Sequence, residues 1–482
     1  MINLIKNELI KIFRKKGTYI FLIIFILFII LTNFLYKFLG TQFLTMESYL
    51  DENYIEFAKT EIQNIDINTD RSYYIELKTD IDFYDLYKKY DANSWQAYIL
   101  QRDFRGYIYN LNTYKYGTEM DKAEFTENPE EVLNAELKKL DNNDWKQYVH
   151  DEITDLEAQI ALLKEQIKAE GSTEILNNEL HFLEVKLEMA NTRLKQDIPY
   201  NNNYLNDAIG IRIDMCNINY DYDKPNISYK EKINTQASIK QLETAKYVLD
   251  TKQDVTNTDT LRGVLLNLFS EYSIFIVIFV IMIAGGIVSS ELEKGTIKML
   301  LVKPYTRTKI LISKYIVSMM MIVFIFLFTI ILQTIIGGII LGFDSLSIPV
   351  VEYNFNTNSL ETFNIFHYVF ITMINVLPSY ILLTTLAFAI SCLFGNTVIS
   401  IVLPIIFNIG SAIINTLATA YSIKQLIPFP TLHWDFNQFL FGKLPSYEYT
   451  NLGLAAAICT IYLVILLTIS WFAFKKREIK NV

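Results

Sequence analysis

Six apolar stretches punctuate the chain, and one long polar stretch separates the first from the other five. A membrane-crossing helix needs about 20 mostly apolar residues at a rise of 1.5 Å each. The pattern predicts spans over residues 18–39, 272–290, 310–342, 366–393, 398–421 and 452–474. The first follows Arg14-Lys15-Lys16, a start that also suits a secretory signal. Its apolar core is long and no small-x-small cleavage site follows, so it reads as a retained helix.

The polar stretch, residues 40–262, carries its own pattern. Val149, Ile153, Leu156, Ile160, Leu163 and Ile167 alternate spacings of four and three, and Leu176, Leu180, Leu183, Leu187, Ala190 and Leu194 repeat the alternation. Glu170-Gly171-Ser172 breaks the two runs, and Glu174 favours a new first turn. Residues 147–195 therefore predict an antiparallel coiled-coil hairpin with arms about 30 Å long. Residues 45–125, rich in Tyr, Asp and Asn, read as mostly helical, and 227–249 as a further helix. The fold class expected is an all-α polytopic membrane protein, with six transmembrane helices and a mainly helical extracellular domain.

Charge gives the spans a direction. The formal charge of the 482 residues is −9, but residues 40–262 hold 42 acidic and 25 basic side chains while the remainder has an excess of eight basic ones. In the six-span arrangement, fifteen of the eighteen basic residues outside the polar stretch fall on one face: before span one, around the link between spans two and three, and after span six. The positive-inside rule makes that face cytoplasmic. The expected location is the plasma membrane, multi-pass, with both termini cytoplasmic and residues 40–262 extracellular. An acidic polar body excludes a nucleic-acid partner. Cys216, Cys392 and Cys459 form no spacing motif, and no hydrolase or metal motif is present, so no catalytic or metal residue is assigned. His150 and His181 read as solvated helix-face residues.

The spans contain few ionisable groups, whereas ion-coupled carriers place carboxylates near mid-membrane. Asn375, Asn408, Asn415 and Gln333 read as helix–helix hydrogen-bonding residues. Pro378 and Pro404 predict kinks. After span two comes an amphipathic segment, Glu291-Leu-Glu293-Lys-Gly295-Thr296-Ile-Lys298-Met-Leu-Leu301-Val-Lys-Pro304-Tyr-Thr-Arg307. Read as a helix over 291–303 ended by Pro304, with Thr306 or Thr308 capping span three, it is either a lever that moves two spans or an interfacial anchor.

This segment, with Lys309 and Lys314 following, resembles the coupling-helix region of type-2 ABC exporter permeases. Residues 1–17 resemble the cytoplasmic connecting helix of that family, and 422–451 are apolar enough for its partly re-entrant extracellular helices. The resemblance covers residues 1–39 and about 263–482. It implies docking to an ABC ATPase subunit through Glu291, Glu293, Gly295, Thr296, Lys298, Leu301, Pro304 and Arg307, with Lys11 and Arg14 as a second contact. The chain has no Gly-x-x-x-x-Gly-Lys-[Ser/Thr] loop, so ATP and Mg would reside on a separate partner, and this chain would be a transport subunit rather than an enzyme. Two ATPase copies and a second permease, in a homodimer or heterodimer, are implied. The cargo expected is hydrophobic or amphipathic: an antimicrobial peptide, a lipid or a drug. The extracellular body of more than 200 residues departs from the short loop of many family members. A different reading is a membrane scaffold of a secretion or cell-envelope assembly, with the coiled coil as an interaction rod.

Overall fold

Threonine and asparagine start most of the long apolar helices. Thr306 Oγ1 accepts from Lys309 N, Asn364 Oδ1 from Phe366 N, and Asn396 Oδ1 from Ile399 N, each satisfying an N-terminal donor that the helix itself leaves open. A computed structural model describes residues 1–39, 51–141, 144–221, 227–296 and 305–476. Six helices in it are long and apolar enough to cross a membrane: TM1 (Lys16–Leu39), TM2 (Ser273–Glu293), TM3 (Arg307–Leu341), TM4 (Ile365–Phe394), TM5 (Thr397–Ala420) and TM6 (Leu452–Lys476). The chain is an all-α multi-pass membrane protein.

Two units divide it. The first comprises residues 1–40, 221–237 and 255–482; the second comprises 41–220 and 238–254. The helix Tyr229–Thr251 contributes to both.

In the first unit TM2 and TM4 are central, 61% buried over their most apolar windows against 17% for TM5 and TM6. TM2 and TM5 approach so closely that a Cβ on Gly285 would stand 2.5 Å from the Ser400 carbonyl oxygen. Gly285→Ala must push the two backbones apart, an overpacking cost of about 1–3 kcal/mol. A lowered thermal midpoint in detergent, with Gly286→Ala unaffected because that Cβ meets open space, is the expected result. TM3, at 35 residues, exceeds a bilayer's thickness and contains a π-helical turn at Gln333–Gly337. That turn presents Gln333 to Asn33 of TM1. The two amides exchange hydrogen bonds of 2.9 Å, and Tyr272 OH donates to Gln333 Oε1 at 2.8 Å. The helix–helix role expected for Gln333 holds, with Asn33 as its unforeseen partner. Asn375 bonds its own helix at Ile371 O, and Asn415 donates to Thr431 O. TM4 and TM5 remain continuous helices through Pro378 and Pro404.

Two features depart from the expectations. Residues 350–363 form an antiparallel β-hairpin, Val350–Asn354 with Ser359–Phe363. Its register sets Glu352 opposite Glu361, a repulsive pair. Tyr368 OH (2.9 Å) and Lys443 Nζ (3.1 Å) offset the buried Glu352 carboxylate. Residues 422–451 form short 3₁₀ turns at 424–426, 430–432 and 436–442 rather than re-entrant α-helices. Pro428, Pro430 and Pro445 deny the backbone donors that a helix there would need.

Helices are the regular elements of the second unit among its described residues. Trp145–Glu170 and Glu174–Gln196 form the expected hairpin, with Gly171 left-handed at the break. Val149, Leu156, Ile160 and Leu163 are buried as the pattern requires. On the second arm the buried residues are Val185, Met189, Ala190 and Arg193, and of the predicted stripe only Ala190 is among them. The helix Tyr204–Asp214 also packs there, with Arg193 donating to Asn206 Oδ1 at 2.6 Å, so the arm's inner face is turned from the simple two-helix seam. The tyrosines serve the core. Tyr148 and Tyr200 pack among Phe83, Phe104 and Leu140.

Candidate functional site

The N-terminal helix, Ile2–Arg14, has one buried stripe, Leu4, Glu8 and Ile12, at the four-residue spacing of a helix face. Ile5, Leu9 and Phe13 add to it, and Phe13 meets Phe324 of TM3 edge-on at 5.2 Å. A carboxylate in that stripe demands a partner. Lys314, two turns into TM3 and fully buried, supplies it.

Four charges close into a ring. Lys11 Nζ lies 2.9 Å from Glu8 Oε1 and 2.7 Å from Glu291 Oε1. Lys314 Nζ lies 2.8 Å from Glu8 Oε2 and 2.8 Å from Glu291 Oε2, and donates to Ile287 O at 3.1 Å. Each carboxylate thus bridges two ammonium groups, and the ring is neutral. Burial alone would push the Glu8 carboxyl up, but Lys314 and Lys11 outweigh it and hold the group below the ordinary carboxylate range. For Lys11 burial acts downward, and the hydrogen bonds to Glu291 and Glu8 prevail and raise it.

The other end of the same helical turn is tied elsewhere. Glu293 Oε2 accepts from Thr397 Oγ1 at 2.6 Å and from Thr397 N at 3.2 Å, at the N-terminus of TM5, where a carboxylate also meets the positive end of the helix dipole. TM2 ends immediately afterwards. Lys294 caps it, and Gly295 takes a left-handed φ of +69°, which favours glycine. Glu291 to Glu293 are therefore the last turn of TM2 and not the start of a separate helix over 291–303, because the left-handed turn at Gly295 ends the helical run. Thr296 Oγ1 reaches back to Glu291 O at 3.5 Å. Lys298, Leu301 and Pro304 lie outside the described residues. Arg307 opens TM3 and donates to Lys475 O of TM6 at 3.0 Å. Of the two caps expected for TM3, Thr306 is the one used.

The structure brings Lys11 and Glu291 into one ring, ties Glu293 to TM5 and Arg307 to TM6, and leaves Arg14 exposed on the rim of a cleft of about 560 Å³. Glu8 and Lys314 were not assigned roles from sequence. Their signal was present: a carboxylate in an apolar stripe, and a lysine inside an apolar span, each require a counter-charge.

A family model described as a protein of unknown function (DUF2705) matches residues 232–480. The chain belongs to the DUF2705 family. The DUF2705 match takes in TM2 to TM6, including Glu291, Glu293 and Lys314. Among curated proteins, the uncharacterized protein YhcI of Bacillus subtilis is 26% identical over 213 residues, 44% of this chain and 67% of that protein. The uncharacterized membrane protein YdbK of the same organism is 25% identical over 200 residues, 42% of this chain and 76% of that protein. No solved structure matches.

Proposed function

We propose that this chain is the transmembrane permease subunit of an ATP-driven exporter, with ATP hydrolysis on a separate subunit. The observation that carries the reading is the charge ring at Glu291. It joins the N-terminal helix, TM2 and TM3 at the point where TM2 ends, while Glu293 two residues on holds TM5. A partner that grips the segment after Gly295 would move four elements together, and the sequence resemblance assigns that segment to ATPase docking. In this reading the basic face is cytoplasmic, residues 40–262 lie outside the plasma membrane, and the permease works as a pair with two ATPases. The cargo is hydrophobic or amphipathic.

Purification of the full chain with its native membrane partners tests this. A P-loop ATPase is expected to co-purify. Gly295→Trp, which forces a bulky residue into a left-handed turn, and Glu291→Ala are expected to reduce the retained ATPase by roughly tenfold, about 1.4 kcal/mol of docking energy, while membrane insertion is kept. Absence of any ATPase, or unchanged retention in both variants, sinks the proposal. One observation favours the scaffold reading instead: Leu162 (68% exposed) and Ile175 (78%) stand out from the two arms of the hairpin. On that reading the chain would retain a cell-envelope protein through the hairpin, and no ATPase.

A further inference from the structure

The cleft beside the ring holds more positive charge than the ring consumes. Its lining includes Lys11, Arg14, Lys15, Lys294, Ser290 and Thr296, over a floor formed by Ile12 and Ile287. Lys11 is committed to Glu8 and Glu291. Arg14, Lys15 and Lys294 are exposed and have no carboxylate within ion-pair distance among the described residues. Arg14 ends the N-terminal helix and Lys294 caps TM2, so each meets a helix C-terminus carrying about half a negative charge. Two such ends offset about one of the three cations, and an excess of about two positive charges remains at the cleft. Burial chiefly holds the Lys15 ammonium below the ordinary lysine range; the fields of Lys314 and Lys294 add to this, and those of Glu291 and Glu8 oppose it.

The position of the cleft selects the ligand. It lies where TM1 begins and TM2 ends, at the level of the lipid headgroups on the basic face of the bundle. Basic pockets between helix ends at this level match phosphate-bearing headgroups, and the apolar floor suits the glycerol end of a lipid better than a hydrated free ion. We propose that this cleft is a binding site for a phosphate-bearing anion, supplied by the headgroup of an anionic phospholipid of the adjoining leaflet. Arg14 and Lys15 hold the phosphate from the N-terminal helix side and Lys294 from TM2, so an occupied cleft clips the end of TM2 to the N-terminal helix next to the charge ring. The site itself stands independently of the exporter reading. Only the identity of the leaflet as cytoplasmic rests on the orientation proposed above.

The full chain in phosphatidylcholine nanodiscs, titrated with spin-labelled phosphatidylglycerol, tests the assignment without any ATPase. A motionally restricted phosphatidylglycerol fraction in excess of that for spin-labelled phosphatidylcholine is expected. Each of Arg14→Gln, Lys15→Gln and Lys294→Gln is expected to weaken the preference about fivefold, from about 1 kcal/mol per cation near an anionic lipid surface. Lys6→Gln, an exposed cation of the same helix that does not line the cleft, is expected to leave it within about twofold, because salt screens an exposed charge outside the site. Equal loss in Lys6→Gln, or no preference in the wild type, overturns the proposal. So does displacement of the lipid by millimolar inorganic phosphate, which would make the occupant a free anion.

Discussion

Replacing Lys314 by methionine is expected to destabilise the membrane unit by about 3–5 kcal/mol, the cost of stripping one partner from a buried ion pair. The ammonium is fully buried, and its removal leaves Glu8 and Glu291 sharing Lys11 alone, one net negative charge in an apolar site. The ring's closure makes a sharper prediction. Glu8→Gln with Lys314→Met leaves only Lys11 with Glu291, a neutral pair, so the double variant should be more stable than Lys314→Met alone. Thermal or denaturant midpoints of the purified full chain in detergent provide the four corners of the cycle. Additive losses would mean that the four groups do not act as one unit. Because the Glu8 pKa is depressed, its contribution is present above the ordinary glutamate value and is lost as pH falls through the lowered one. For Lys11, whose pKa is raised, the contribution is present below the ordinary lysine value and is lost as pH rises through the raised one. Between the carboxylate and lysine ranges the stability that Glu8 and Lys11 contribute should therefore not vary with pH.

Tyr200→Ala is expected to cost the helical body about 3–5 kcal/mol, as other buried aromatic truncations do. Tyr200 is 2% exposed, the Arg193 guanidinium lies 3.8 Å from its ring centroid, and its hydroxyl donates to Glu152 at 2.8 Å. Truncation opens a cavity and leaves the buried Arg193 cation without its aromatic face. Tyr200→Phe keeps the ring and loses the hydrogen bond, at about 1 kcal/mol. Trp95 and Trp145 lie within 6.5 Å of the Tyr200 ring, so tryptophan emission, with limited proteolysis of residues 51–254, reports the loss. A melt within about 0.5 kcal/mol of wild type in Tyr200→Ala would remove Tyr200 from the core's main supports.

The elements with strong periodicity were legible. The span expected at 272–290 runs Ser273–Glu293, and the hairpin break expected at Glu170-Gly171-Ser172 falls between Glu170 and Glu174. In both cases a local property decides the outcome, apolar length in one and a glycine between two amphipathic runs in the other. The β-hairpin went unread although Val351-Glu352-Tyr353-Asn354-Phe355 alternates and an Asn-rich turn follows, a signal too short to stand out beside long apolar helices. The second arm of the coiled coil shows a different failure. A heptad assumes one partner, whereas a third helix packs against that arm and the buried Arg193 donates to its Asn206.

The sequence by itself determined six membrane helices, an inserted helical body and a basic bias outside that body, because length, hydropathy and charge act locally on each segment. Only the tertiary structure decided which charges meet. Glu8 and Lys314 stand 306 positions apart, and Asn33 and Gln333 stand 300 apart. A buried polar group announces in sequence that it needs a partner, because desolvation is costly wherever it sits. Which residue answers depends on how the helices pack.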